Sequence, residues 1–372
     1  MLFRSGSGTW ALAGTLSVPR TDTTTTVLAD GRVLVIGGNE NYGFTSEMID
    51  SSAGQVMGSI SLNETRAGHT ATLMPSGNVL LTGGAGLGYL ATAEIFNVSD
   101  DTVSYTDSMS EARLYHTATL LPDGRVLVAG GYSSSHDPNN TCEMYDEDTP
   151  EPDSKWASAN PLIYSRAEHT ATLLSDGRIL FAGGDGLSGP VDRAEIYDPV
   201  TGERVETGLH IQPRFFHTAT RLPSGEVVIA GGMADESGGQ VFRSTEILDP
   251  RVKPEATWRA ATAMGSRREG HVAVSLRDGK VLVAGGSPDD KTVAIASAEV
   301  YDPENDTWTP VAEMTHARYR ATATLLWDGK VLVAGGEGID GWRDDMEIWD
   351  PVSDQWFITN WTLSGRGYHT AT

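Results

Sequence analysis

Six histidines occupy one position of a recurring pattern along this chain: His69, His116, His169, His217, His271 and His369. Imidazole carries protons near neutral pH and ligates metals, so a set of six makes metal binding the first chemistry to weigh. Three residues ahead of that column stands an arginine, at Arg20, Arg66, Arg113, Arg166, Arg214, Arg268 and Arg318. A glutamate column runs through Glu47, Glu94, Glu143, Glu195, Glu246, Glu299 and Glu347. Arginines and glutamates at matched positions suggest one partly buried ion pair per repeat, because the planar guanidinium fork fits a carboxylate with defined geometry. A catalytic group is rarely needed seven times, so both columns read as scaffold. The single cysteine, Cys142, has no partner for an intrachain disulfide.

The elements carrying these columns are short strands. In Ala112 to Gly131, ARLYHTATLLPDGRVLVAGG, two apolar runs flank Asp123-Gly124, and glycine supplies the positive φ that a tight hairpin turn needs. Copies of this stretch end in Gly-Gly at Gly38, Gly84, Gly131, Gly184, Gly232, Gly286 and Gly336, at spacings of 46, 47, 53, 48, 54 and 50 residues. A third strand follows each copy: SEMID, AEIFN, CEMYD, AEIYD, TEILD, AEVYD and MEIWD. A fourth carries Trp156, Trp258, Trp308 or Trp356, with Val56, Val103 and Val205 taking that place elsewhere. No segment sustains a helical apolar period, so essentially no helix is expected. Four antiparallel strands in each repeat of about 50 residues describe the blade of an all-β, seven-bladed β-propeller.

Gly-Gly after the second strand, Tyr-Asp after the third, Trp in the fourth and Arg ahead of the next first strand resemble kelch repeats. The resemblance covers nearly the whole chain and implies one propeller domain over 1–372, with a surplus strand at about 8–14 and a truncated repeat at 365–372. Kelch propellers close by completing one terminal blade with the other terminus; here Trp10 and Trp356 both offer the closing strand. First strands line the channel of a propeller, so equivalent histidines on different blades stand too far apart to share one ion. Each is expected instead to donate a ring N–H to the backbone of a neighbouring blade. Tyr115-His116 also resembles the adjacent tyrosine and histidine that ligate copper in galactose oxidase. That family further requires a tyrosine cross-linked to a cysteine near the mouth and a histidine from a following domain. Cys142 falls in a third strand, so neither copper nor another cofactor is expected.

Fifty acidic residues against 27 basic ones give a net charge of −23. Such a surface repels phosphate backbones and anionic lipids, which argues against nucleic-acid and membrane partners and for cations, basic peptides or neutral sugars. No apolar run reaches the length of about 20 residues that spans a bilayer, and the N-terminus lacks the apolar core of a signal peptide. A monomer is expected unless the surplus terminal strands pair between chains. No Walker loop, zincin helix or nucleophile elbow occurs.

Function is sought where copies of the repeat differ. Loops entering the first strand and loops leaving the second lie on one face of a propeller. The residue before the histidine column is Asp22, Gly68, Tyr115, Glu168, Phe216, Gly270 or Arg320, and a scaffold position would be uniform. Together with Phe215, Tyr319, Tyr132 and Trp342, the residues Tyr115, Glu168, Phe216 and Arg320 form the expected ligand face. Aromatic faces beside Asp, Glu and Arg suit sugar rings or an anchored peptide. The expected function is therefore a non-enzymatic module binding a protein or glycan. The alternatives are a galactose-oxidase-like copper oxidase, and a kelch-type sugar epimerase or mutarotase using Glu168 and Arg320.

Overall fold

The computed structural model describes residues 24–38, 44–50, 55–150, 152–207, 212–234, 240–251, 257–289, 293–326, 328–339, 341–343 and 346–359. They form seven four-stranded antiparallel sheets and two short hairpins, with no helix among the described residues. The sheets are the blades of a β-propeller, numbered here 1 to 7 in chain order. Their strands run from Thr24–Val27 through Gln55–Ser61 in blade 1 to Thr322–Leu325 through Gln355–Thr359 in blade 7. Within every blade the strands pair in sequence order, each with the next. First strands of successive blades lie side by side from blade 1 to blade 7. Trp10 and Tyr368 to Thr372, the two expected surplus strands, fall outside the described residues, as does Arg20.

The core sits between blades rather than inside them. In blades 2 to 6 the second strands are buried along their whole length, and alternate side chains serve opposite neighbours. Val79 and Leu81 pack with Leu34 and Ile36 of blade 1, while Leu80 packs with Val126 and Val128 of blade 3. A strand buried on both faces has to be apolar at every position, which is why VLLT, VLVA, ILFA and VVIA lack the polar alternation of a half-exposed strand.

The arginine and glutamate columns meet inside each of blades 2 to 7. Arg66 donates to Glu94 at 2.7 Å, Arg113 to Glu143 at 3.0 Å, Arg166 to Glu195 at 2.9 Å, Arg268 to Glu299 at 2.8 Å and Arg318 to Glu347 at 2.9 Å; Arg214 pairs with Glu246. All six arginines are at most 1% exposed. Each also donates to the carbonyl of the first glycine of its own Gly-Gly, as Arg113 does to Gly130 at 2.8 Å. The glutamate takes a further backbone N–H from the linker leaving the previous blade, for example Ser110 onto Glu143 at 2.7 Å. A buried charge is tolerable only when it is paired and hydrogen-bonded, as these guanidinium groups are to a carboxylate and a carbonyl.

The histidines tie blade to blade, with a difference from expectation. Their partner is a side chain, not a backbone group: Nε2 of His69, His116, His169, His217 and His271 meets the hydroxyl of Thr24, Thr70, Thr117, Thr170 and Thr218 of the preceding blade, at 2.9–3.1 Å. The ring also lies against the first glycine of the preceding Gly-Gly, where a Cβ on Gly83 would come within 2.8 Å of His116 Cε1. Register corrects a second assignment. Trp156, Trp308 and Trp356 stand opposite Tyr145, Tyr301 and Trp349, but the residue opposite Tyr197 is Arg204, not Val205. Arg204 donates to the Pro161 carbonyl of the preceding blade's exit linker at 2.6 Å, as Trp156 donates to Asp107 at 2.7 Å.

Two predictions follow from these buried groups. Arg166→Met leaves Glu195 charged and unpaired in the interior and is expected to cost about 3–5 kcal/mol, whereas Arg32→Met, at an exposed pair with Asp101, costs under about 1 kcal/mol; urea melts separate them. Burial, reinforced by the nearby arginine, holds His69, His116, His217 and His271 near pKa 3, below the ordinary 6.5, and lowers His169 in the same direction. A base depressed in the folded state contributes its full stability above its unfolded pKa and loses it on acidification. Stability is therefore expected to be level above pH 6.5 and to fall below it by about 1 kcal/mol per pH unit for each histidine. Melts that are unchanged down to pH 4 would contradict this.

Candidate functional site

The mouth of the channel is built by one backbone bridge in each of blades 2 to 7. The residue after each buried arginine pairs with the residue after Gly-Gly: Ala67 with Ala85, Leu114 with Tyr132, Ala167 with Asp185, Phe215 with Met233, Glu269 with Ser287 and Tyr319 with Glu337. These bridges bring the loop entering the first strand and the loop leaving the second onto the same face.

One residue further on, the equivalent residues of blades 2 to 7 stand as a ring of positions around the mouth, hydrogen-bonded in two runs, Gly68–Tyr115–Glu168 and Phe216–Gly270–Arg320. The amide of Tyr115 donates to Gly68 at 3.2 Å, that of Glu168 to Tyr115 at 3.1 Å, that of Gly270 to Phe216 at 3.0 Å and that of Arg320 to Gly270 at 2.6 Å. All six residues are in the left-handed conformation, with φ of 61° at Gly68, 53° at Tyr115, Glu168 and Phe216, 57° at Gly270 and 54° at Arg320. An L-residue held there costs about 1–2 kcal/mol relative to its preferred conformations, while glycine is at ease. The glycines in the sequence column at 68 and 270 were the available sign of this geometry.

The ring side chains reach across one another. A Cβ on Gly68 would meet the Tyr115 ring at 2.9 Å, so Tyr115 lies over the glycine of blade 2. Arg320 passes over Gly270 in the same way and sets its guanidinium 4.9 Å from the centre of the Phe216 ring, two blades away, and 5.5 Å from that of Tyr319. Phe215 stands edge-on to Phe216 at 5.0 Å and is buried with Met233 and Val241; Tyr319 is 5% exposed. These two rings back the ring positions, whereas Tyr115, Glu168, Phe216 and Arg320 remain half-buried at the mouth. Burial first, then a hydrogen bond to Glu337, pushes the Tyr319 phenol well above its ordinary range, with Arg320 and Glu269 also acting on it.

Further out, Tyr132 donates to Asp185 of the next blade at 2.8 Å, and Tyr89 packs at a tilt against His136 with ring centres 4.7 Å apart. Trp342 pairs through its backbone with Glu337 in the hairpin of blade 7. Glu269 and Glu337, whose carboxylates both act on Tyr319, were not singled out from the sequence. Their signal was position alone, directly after the arginine and directly after Gly-Gly. Tyr164, upstream of the ring, turns away to Glu206 at 2.6 Å. A groove on the opposite face, lined by Arg125, Lys155, Tyr197 and Val200, gathers none of the candidate residues.

The Tyr115-His116 pair does not fit a copper centre. His116 is 5% exposed, and its Nε2 is taken by the hydroxyls of Thr82 at 2.9 Å and Thr70 at 3.1 Å, so the imidazole serves the blade interface while Tyr115 faces the mouth. Cys142 is buried in its third strand, where desolvation pushes the thiol up to about 12. No cluster of three or more His, Cys, Asp or Glu suited to a metal occurs among the described residues.

Residues 268–315, from the end of the blade 5 to 6 linker through the fourth strand of blade 6, match the family model of the kelch motif. Among solved structures the chain is similar to one described as a novel fungal alcohol oxidase with catalytic diversity among the AA5 family, in complex with copper. The TM-score is 0.68 and the identity 19%, over 86% of this chain and 70% of that one, a likeness of fold. No curated protein matches the sequence. No helix among the described residues is long and apolar enough to cross a membrane.

The left-handed ring makes a prediction with an unusual sign. Glu168→Gly removes backbone strain at a position where other blades already carry glycine, and is expected to raise stability by about 0.5–1 kcal/mol. Chemical denaturation measures it, and a loss of more than about 1 kcal/mol would assign Glu168 to the scaffold.

Proposed function

We propose that this kelch-repeat propeller is a non-enzymatic binding module that holds a protein or glycan ligand on the mouth of its channel. The observation that carries this reading is the ring of left-handed residues. Glycine satisfies the ring geometry in blades 2 and 6, yet blades 3, 4, 5 and 7 keep Tyr115, Glu168, Phe216 and Arg320 against a conformational cost. Strain retained where the fold offers a relaxed alternative is characteristic of a functional surface. The four side chains supply two aromatic faces, a carboxylate and a guanidinium, enough to stack on a flat apolar surface and read its polar rim.

Oxidase chemistry has less support, because the histidine of the candidate copper pair is committed to threonine hydroxyls. An epimerase would use Glu168 and Arg320 as its reacting groups, and nothing in their geometry favours proton transfer over binding.

Glycan and peptide arrays probed with the purified chain test the proposal. Retention of a defined ligand set is expected, with Tyr115→Gly and Phe216→Gly each weakening it at least tenfold, about 1.4 kcal/mol, while melting temperatures stay within a few degrees of the parent. Binding that survives all four ring-to-glycine substitutions, or chemical conversion of an arrayed sugar, would overturn it.

A further inference from the structure

Three loops on the mouth face repeat a feature that the kelch pattern does not require. They read Ala85-Gly86-Leu87-Gly88, Asp185-Gly186-Leu187-Ser188-Gly189 and Glu337-Gly338-Ile339-Asp340-Gly341. In blades 4 and 7 they are two-stranded hairpins, Asp185–Gly186 with Gly189–Pro190 and Glu337–Gly338 with Gly341–Trp342. In blade 2 the Gly86 amide donates to the Gly88 carbonyl at 2.9 Å, and Ala85 bridges Tyr89. Each hairpin is rooted by its first residue in the backbone bridge that also carries the ring. The glycine that follows is packed tightly: a Cβ would come within 2.6 Å of the Thr65 carbonyl oxygen at Gly86, 2.8 Å of Val191 at Gly186 and 2.6 Å of Arg343 at Gly338.

The next residue points away from all of this. Leu87 is fully exposed, Leu187 is 68% exposed and Ile339 76% exposed. Exposure alone is ordinary, and Val200 and Val352 are as open in turns of the opposite face. The three tips differ in being raised on rigid roots around the candidate ligand face. Blades 2, 4 and 7 are two, three and two steps apart around a seven-bladed ring, so the aliphatic tips stand as a near-even tripod.

We propose that Leu87, Leu187 and Ile339 form a docking rim for a protein partner whose contact surface offers apolar sockets among basic side chains. Aliphatic tips have no polar atoms with which to read sugar hydroxyls, and they gain free energy only by leaving water. The sign of the partner follows from charge. Loops between Gly-Gly and the third strand carry twelve Asp and Glu against four Lys and Arg, on a chain of net charge −23. A basic surround steers such a partner to the rim and an acidic one is repelled. The inference rests on the mouth being the binding face, and it chooses a protein over a glycan for contacts outside the ring.

An array of 15-residue peptides graded in Lys/Arg and in Leu/Phe content, together with phosphatidylcholine vesicles, tests it. The parent is expected to retain peptides rich in both classes, with retention falling as salt rises. The triple variant L87S/L187S/I339S is expected to lose at least tenfold in retention at an unchanged melting temperature. Equal retention by parent and variant, retention that follows basic content alone, or vesicle sedimentation abolished by the triple variant would each overturn the proposal. The ring variants Tyr115→Gly and Phe216→Gly, measured beside it, separate the two sites. Loss of ligand in the ring variants with an unaffected triple variant defeats the rim and leaves the ring standing.

Discussion

A buried guanidinium fixes the course of the chain through each blade. Its donors reach the third-strand glutamate and the carbonyl that opens Gly-Gly, as in Arg166 with Glu195 and Gly183. The same arginine's own carbonyl accepts the amide of the second glycine of the preceding blade, as Arg166 does from Gly131 at 2.9 Å. The residue is thereby held to its own blade by its side chain and to the neighbour by its backbone. Moving it strands a charge away from water, at a cost far above that of any loop rearrangement.

Once the arginine is placed, the next three residues have little freedom. The first bridges to the loop after Gly-Gly, the second turns left-handed, and in blades 2 to 6 the third is the histidine whose ring fills the glycine niche. The second has a side chain that neither the bridge nor the niche uses. Scaffold and proposed ligand face are thus separated within four residues of chain, and the second position is free to vary as long as its backbone bears the strain.

The blades were legible in the sequence because repetition supplies the same evidence seven times: Asp-Gly or Ser-Gly at the turn, a largely apolar second strand and Gly-Gly at its end. The ion-pair columns could be suspected for the same reason, although matching columns do not say whether a pair joins one blade or two. Single departures were harder to read. Arg204 replaces a tryptophan by reaching the same kind of carbonyl, a substitution of role rather than of residue class, so aligning on apolar character selected Val205. Phe215 and Phe216 are equivalent as letters; only the bridge through Phe215 shows which ring is buried and which faces the mouth. The left-handed ring was written in the column as Gly68 and Gly270, but glycine is also plentiful in turns, and the backbone angles of Tyr115 and Arg320 are set by tertiary bonds invisible in sequence.

The claim that the ring position is structurally interchangeable and functionally specific can be tested by moving its residues without changing composition. Exchanging two of them, in the double variant E168G/G270E, keeps every scaffold column intact and relocates one carboxylate by two blades. Differential scanning calorimetry combined with array binding on that one variant measures both halves of the claim. The expected result is a single cooperative transition within a few degrees of the parent together with a changed or lost ligand profile. A collapse of the transition, or an unchanged profile on an intact fold, would contradict it.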